Sequence, residues 1–173
     1  MRLLPALAAG AALATPGGGF PALTTDGIGG VRPGAGLAEL RARWHLALPA
    51  AVDAGGSEAR ALLPICAGSV RGVVSMSGPS ASPPERYLRF DYAIFTAGVH
   101  TDTGIRIGSS LADLRRAYGR RLRGNAFERT VLGPRMPHVA IVFVLEDGKV
   151  ASIGFGRRGG VPPASGLVAA CPR

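Results

Sequence analysis

The sequence predicts an α+β fold in which a short helix followed by a β-hairpin occurs twice, forming a four-stranded antiparallel sheet with both helices on one face. Three observations predict it: a segment that recurs after 74 residues, a pair of strand-like runs after each copy, and a composition rich in turn formers, with Gly 26 and Pro 14 among 173 residues. An apolar content of 47% against 18% charged residues excludes a disordered chain, because such a chain lacks the apolar surface to offset the entropy of ordering.

The repeat aligns Gly30-Val31-Arg32-Pro33-Gly34-Ala35-Gly36-Leu37-Ala38-Glu39-Leu40-Arg41-Ala42-Arg43-Trp44 with Gly104-Ile105-Arg106-Ile107-Gly108-Ser109-Ser110-Leu111-Ala112-Asp113-Leu114-Arg115-Arg116-Ala117-Tyr118, and seven of the fifteen positions are identical. Leu37, Leu40 and Trp44, like Leu111, Leu114 and Tyr118, fall at i, i+3 and i+7 and so line one side of a short helix. These aromatic residues read as core. Ser110 is placed to cap the second helix with Asp113 three residues on, and Gly119 is placed to end it.

Each helix leads through a loop-rich stretch to two strand-like runs. The first pair is Ser69–Met76 with Arg86–Phe95, and the second is Val139–Leu145 with Val150–Phe155. The second pair flanks Asp147-Gly148, the dipeptide that best supplies the two positive-φ residues of a tight hairpin turn. The resulting division is 1–19 as signal peptide and linker, 20–100 as the first copy (helix about 37–45, hairpin about 69–95), and 101–173 as the second (helix about 111–118, hairpin about 139–155).

Met1 to Ala14 combines one positive charge, an apolar run and the small-residue tripeptide Ala12-Leu13-Ala14, the pattern of a secretory signal, so the protein is expected in the periplasm or outside the cell. No later stretch approaches the roughly 20 apolar residues of a membrane span. In an exported chain the two cysteines, Cys66 and Cys171, read as a disulfide, with two reduced buried thiols as the alternative in a reducing compartment. A bridge closing a loop of that length is worth about 4–5 kcal/mol in the chain-entropy view.

The net charge of +9 comes almost wholly from arginine. The run Arg115, Arg116, Arg120, Arg121 and Arg123 is a candidate surface for an anionic envelope polymer, although an Arg-rich composition also follows from a GC-rich genome. No nucleic-acid partner is expected. His45, His100 and His138 are scattered, with no metal-ligand spacing, and neither a nucleophile elbow nor a phosphate loop is present. No catalytic, cofactor or metal residue is therefore assigned. If Leu88, Phe90, Tyr92 and Ile94 face the helices, strand alternation turns Tyr87, Arg89, Asp91 and Phe95 outward as a mixed aromatic and charged set suited to a protein partner.

The motif carried by Gly34, Leu37 and Leu40, and again by Gly108, Leu111 and Leu114, resembles the repeat unit of the β-lactamase inhibitory proteins. It is also similar to the small-lipoprotein domain of the outer-membrane assembly machinery. The resemblance implies protein binding through an open sheet face, as an enzyme inhibitor or an envelope-complex accessory. Cys66 and Cys171 are not equivalent under the 74-residue shift, unlike the disulfides held within each inhibitor repeat, so the fold carries over further than the activity. The expected function is thus an exported, non-enzymatic protein-binding module. A structural protein holding anionic polymers and a hydrolase with an unrecognised site are the alternatives.

Overall fold

A computed structural model describes residues 21–44, 53–55, 57–80, 86–133 and 139–157. The expected signal segment, His45, His138 and Cys171 lie outside them. In chain order the elements are β1 (Leu23–Thr24), β2 (Gly27–Ile28), α1 (Leu37–Trp44), β3 (Asp53–Gly55), β4 (Glu58–Ala67), β5 (Val70–Pro79), β6 (Arg89–Ala97), α2 (Leu111–Tyr118), a 3₁₀ turn (Gly119–Arg121), β7 (Leu122–Gly124), β8 (Glu128–Leu132), β9 (Val139–Glu146) and β10 (Lys149–Arg157).

The expected four-stranded α+β sheet is corrected to a mostly β architecture. The described residues form one antiparallel sheet of eight strands, ordered β3-β4-β5-β6-β10-β9-β8-β7, beside a two-stranded β1-β2 ribbon, with two short helices. The stretches read as loops between each helix and its hairpin contain β3 and β4 in one half and β7 and β8 in the other. Pro64 hid β4, since proline lacks the N–H a central ladder needs. It is tolerated because β3 pairs only with Glu58 to Arg60, so past that point the outer side of β4 has no strand partner among the described residues.

The recurring motif has a backbone reason. Gly34 and Gly108 sit at φ 96° and 86°, a region that a β-carbon disfavours. The turn each one makes is stitched to a distant strand by two hydrogen bonds. The Gly34 N–H donates to the Phe90 carbonyl at 2.7 Å and the Phe90 N–H donates to the Ala35 carbonyl at 2.9 Å; Gly108 and Ser109 make the same pair with Val150, at 2.7 and 2.8 Å. At the start of α2 the Ser110 hydroxyl accepts from the Asp113 N–H while the Asp113 carboxylate accepts from the Ser110 N–H, a complete capping box.

The two helices lay Leu40, Trp44, Leu114 and Tyr118 on one side of the sheet. Trp44 meets Phe90 edge-on with ring centroids 5.5 Å apart, Phe90 stacks on Phe155 at 6.2 Å, and Tyr118 leans on Phe143 at 5.6 Å. The β1-β2 ribbon adds Leu23 and Ile28 to the same core. Its position is held by the Leu23 N–H, which donates to the His100 carbonyl at 2.9 Å, and by the Asp102 N–H, which donates to the Leu23 carbonyl at 3.0 Å. Asp147 and Gly148, at φ 50° and 73°, close the β9-β10 hairpin as the Asp-Gly signal predicts.

Candidate functional site: the sheet face away from the helices

Strand alternation gives this sheet a second face, and its centre is apolar. Along β4, Ala59, Ala61, Leu63 and Ile65 enter the helix-side core, which sends Arg60, Leu62, Pro64 and Cys66 to the other side. The cross-strand register then defines two rows on that side. One runs Leu62, Ser75, Tyr92, Gly156, Ala140 and Leu132; the next runs Pro64, Val73, Ile94, Gly154, Val142 and Thr130. The β10 glycines put no side chains of their own between Tyr92 and Ile94 on β6 and Ala140 and Val142 on β9, and at Gly156 the Tyr92 β-carbon takes that space.

A β-bulge decides which residues of β6 reach this face. Ser77 pairs with Arg89 and Met76 with Phe90, but Ser75 pairs with Tyr92, so Asp91 is an extra residue without a partner on β5. The alternation therefore changes phase. Leu88 and Phe90 point to the helices before the bulge and Ala93 and Phe95 after it. Phe95, expected on the open face, is fully buried in the helix-side core, whereas Tyr92 and Ile94, expected to face the helices, lie on the open side. Arg89 is exposed on that side, Asp91 is half-buried at the bulge, and Tyr87 is half-buried in the turn before β6.

Both helices and the β1-β2 ribbon pack on the opposite side, yet Ile94 is 1% exposed, Val73 5% and Ala140 1%. Ser152, also on this face, is buried with its hydroxyl unpartnered. Leu62, half exposed near the β4 edge, is one of two large apolar side chains this open among the described residues. The rim is basic. Arg60 pairs with Glu58 at 3.0 Å, and with both groups well exposed the pair contributes little. The Arg89 guanidinium donates to the Arg86 and Leu88 carbonyls at 3.1 and 3.0 Å, and that of Arg71 donates to the Gly68 and Val70 carbonyls.

Arg115, Arg116, Arg120, Arg121 and Arg123 are all exposed, in a run from α2 through the 3₁₀ turn into the edge strand β7. Arg116 is engaged by Asp113 at 3.1 Å. The Ser110 hydroxyl and backbone N–H, with help from Arg116, hold the Asp113 carboxyl below its ordinary range, and burial pushes the Tyr118 hydroxyl above its own. Neither group lies on the open face. Among the described residues no cluster of three His, Cys, Asp or Glu side chains is placed to hold a metal ion, and no helix is long and apolar enough to cross a membrane.

No family model, curated protein or solved structure matches the chain. The resemblance to the inhibitor repeats therefore rests on the sequence motif alone.

Sequence reasoning missed Leu62, Val73, Tyr92, Ile94 and Val142 as the centre of the face. One signal pointed there: Gly154 and Gly156 alternate within an otherwise apolar run, which marks the strand side where something approaches closely.

Proposed function

We propose that the protein is an exported, non-enzymatic binding module that grips a protein partner on the sheet face away from its helices. The observation that carries this reading is the combination on one face of an exposed Leu62 and a half-buried Tyr92, set over buried Val73, Ile94 and Val142, with a rim bearing Arg60, Arg71 and Arg89. An apolar centre with a polar rim is the usual anatomy of a protein interface. The rim selects a partner with an apolar anchor surrounded by acidic residues. Inhibition of an enzyme and support of an envelope complex both fit this chemistry.

The test is affinity capture from envelope and secreted fractions with the full-length protein beside a Leu62→Asp, Arg89→Glu double variant. A single protein, identified by mass spectrometry, retained by the parent and lost by the equally stable variant is the expected result. Equal retention by both forms overturns the reading.

The Arg115–Arg123 run supports a second reading, in which the protein holds an anionic envelope polymer. Exposed charges lose their attraction as salt shortens the screening length, about 10 Å at 0.1 M. Polymer binding would thus fall steeply with salt and vanish on replacing Arg120, Arg121 and Arg123, whereas binding at the apolar face would persist.

A further inference from the structure

One corner of the molecule joins a dense run of arginines to an apolar ring held in water. We propose that this corner, made by α2 and the β7-β8 hairpin, docks on an anionic phospholipid surface, with Phe127 entering the headgroup layer while the surrounding arginines engage lipid phosphates. The proposal rests on the anionic-surface reading of the Arg115–Arg123 run and names a lipid bilayer as the anion; it is independent of the open face.

The charge is concentrated. Residues 115–129 hold Arg115, Arg116, Arg120, Arg121, Arg123 and Arg129 against Glu128 alone, a balance of +5 in a chain whose net charge is +9. Arg115, Arg120, Arg121 and Arg123 are exposed and make no ion pair among the described residues, whereas Arg116 is engaged by Asp113. The Arg129 guanidinium donates to the Gly124 carbonyl at 2.8 Å and so braces the hairpin.

Phe127 is 75% exposed, against 50% for Leu62, the other large apolar side chain this open among the described residues. Its place is fixed by the backbone. Asn125 Oδ1 accepts from the Phe127 and Glu128 N–H groups at 2.8 and 2.9 Å, and the Asn125 N–H donates to the Glu128 carbonyl at 2.9 Å. The Leu145 N–H donates to the Phe127 carbonyl at 2.7 Å, and the Leu111 N–H donates to the Gly148 carbonyl at 3.0 Å. The Phe127 turn and the start of α2 are thus anchored at the same end of the sheet, beside the β9-β10 hairpin. That hairpin brings Glu146, Asp147 and Lys149, and with Asp113 included the corner still sets seven cations against four acids.

This pairing of chemistries selects a bilayer. A soluble polyanion would satisfy the arginines and leave the ring in water. A phospholipid surface offers phosphates, which the planar guanidinium group can bind bidentately, and beneath them an apolar boundary that removes the ring from water. Clustered arginines near anionic lipid add to the attraction of each other roughly one by one, and salt screens it.

The test is co-sedimentation of the full-length protein with vesicles of phosphatidylcholine and phosphatidylglycerol, beside vesicles of phosphatidylcholine alone and soluble polyphosphate. The protein should bind the mixed vesicles and not the neutral ones. Phe127→Ser should weaken vesicle binding by about tenfold, as expected for partial burial of one ring, and leave polyphosphate binding unchanged. Arg120→Glu, Arg121→Glu, Arg123→Glu together should abolish both. A Phe127→Trp variant should show a blue-shifted emission component on the mixed vesicles that the parent, whose Trp44 is buried, does not. Equal vesicle binding by Phe127→Ser, or an unshifted Phe127→Trp, overturns the docking. Binding to polyphosphate without binding to the mixed vesicles overturns it too and leaves the anionic-polymer reading standing, whereas binding to neither anion overturns both.

Discussion

Tyr92 on β6 lies directly across from Gly156 on β10, and a β-carbon at Gly156 would stand 2.5 Å from that of Tyr92. The two strands approach this closely because the position carries no side chain. The Asp91 carbonyl closes the same space at 2.6 Å, so neither neighbour can give way without moving backbone. Gly156→Val should destabilise the fold by about 1–3 kcal/mol through overpacking. Urea denaturation checks this, and a loss near zero would mean that β6 and β10 are further apart than described.

The bulge at Asp91 makes opposite predictions for two neighbouring aromatics. Phe95→Ala removes a fully buried ring from the helix-side core and should cost about 3–5 kcal/mol. Tyr92→Ala should cost clearly less, because its ring is half-buried on the other face, and it should weaken partner capture. Comparing the two denaturation midpoints tests the phase change: equal losses would imply that the strand alternates without a bulge.

Trp44 and Phe90 tie α1 to the sheet edge-to-face at 5.5 Å. Each alanine substitution should cost about 3–5 kcal/mol. A double-mutant cycle should return a coupling of about 0.5–1.5 kcal/mol beyond the buried area. The cycle between Trp44 and Phe143, which packs under Tyr118 in the other half, serves as the control and should be additive within the error of the method.

Ser110 and Asp113 close the N-terminus of α2 reciprocally. Ser110→Ala should lower stability by about 1 kcal/mol. The pH dependence has a definite sign. Because the Asp113 carboxyl is held below its ordinary range in the folded state, its contribution is complete above the unfolded carboxylate value near 3.9 and is lost as pH falls through the lower folded value. Thermal melts of the parent and Asp113→Ala should therefore differ at neutral pH and converge in acid. A gap independent of pH would rule out the ionised carboxylate as its source.

The parts of this molecule legible in its residues are those with short-range causes. Leu111, Leu114 and Tyr118 mark α2 by spacing, Ser110 and Asp113 mark its start by chemistry, and Asp147-Gly148 marks a hairpin by its tolerance of positive φ. Gly34 and Gly108 recur because two turns need the same backbone region, although their partners Phe90 and Val150 could not be read from spacing. The strands β3, β4, β7 and β8 left little local trace. Glu58 to Ala67 carries a proline, and Leu122 to Gly124 is three residues long. Such segments become strands because a neighbour offers them unpaired ladder groups, β5 to β4 and β9 to β8, which in turn pair β3 and β7, a tertiary gain that outweighs weak propensity. The face of each β6 side chain was settled in the same way: the composition of Arg89–Ala97 is compatible with either phase, and the register against β5 and β10 places the extra residue at Asp91, turning Phe95 inward and Tyr92 out.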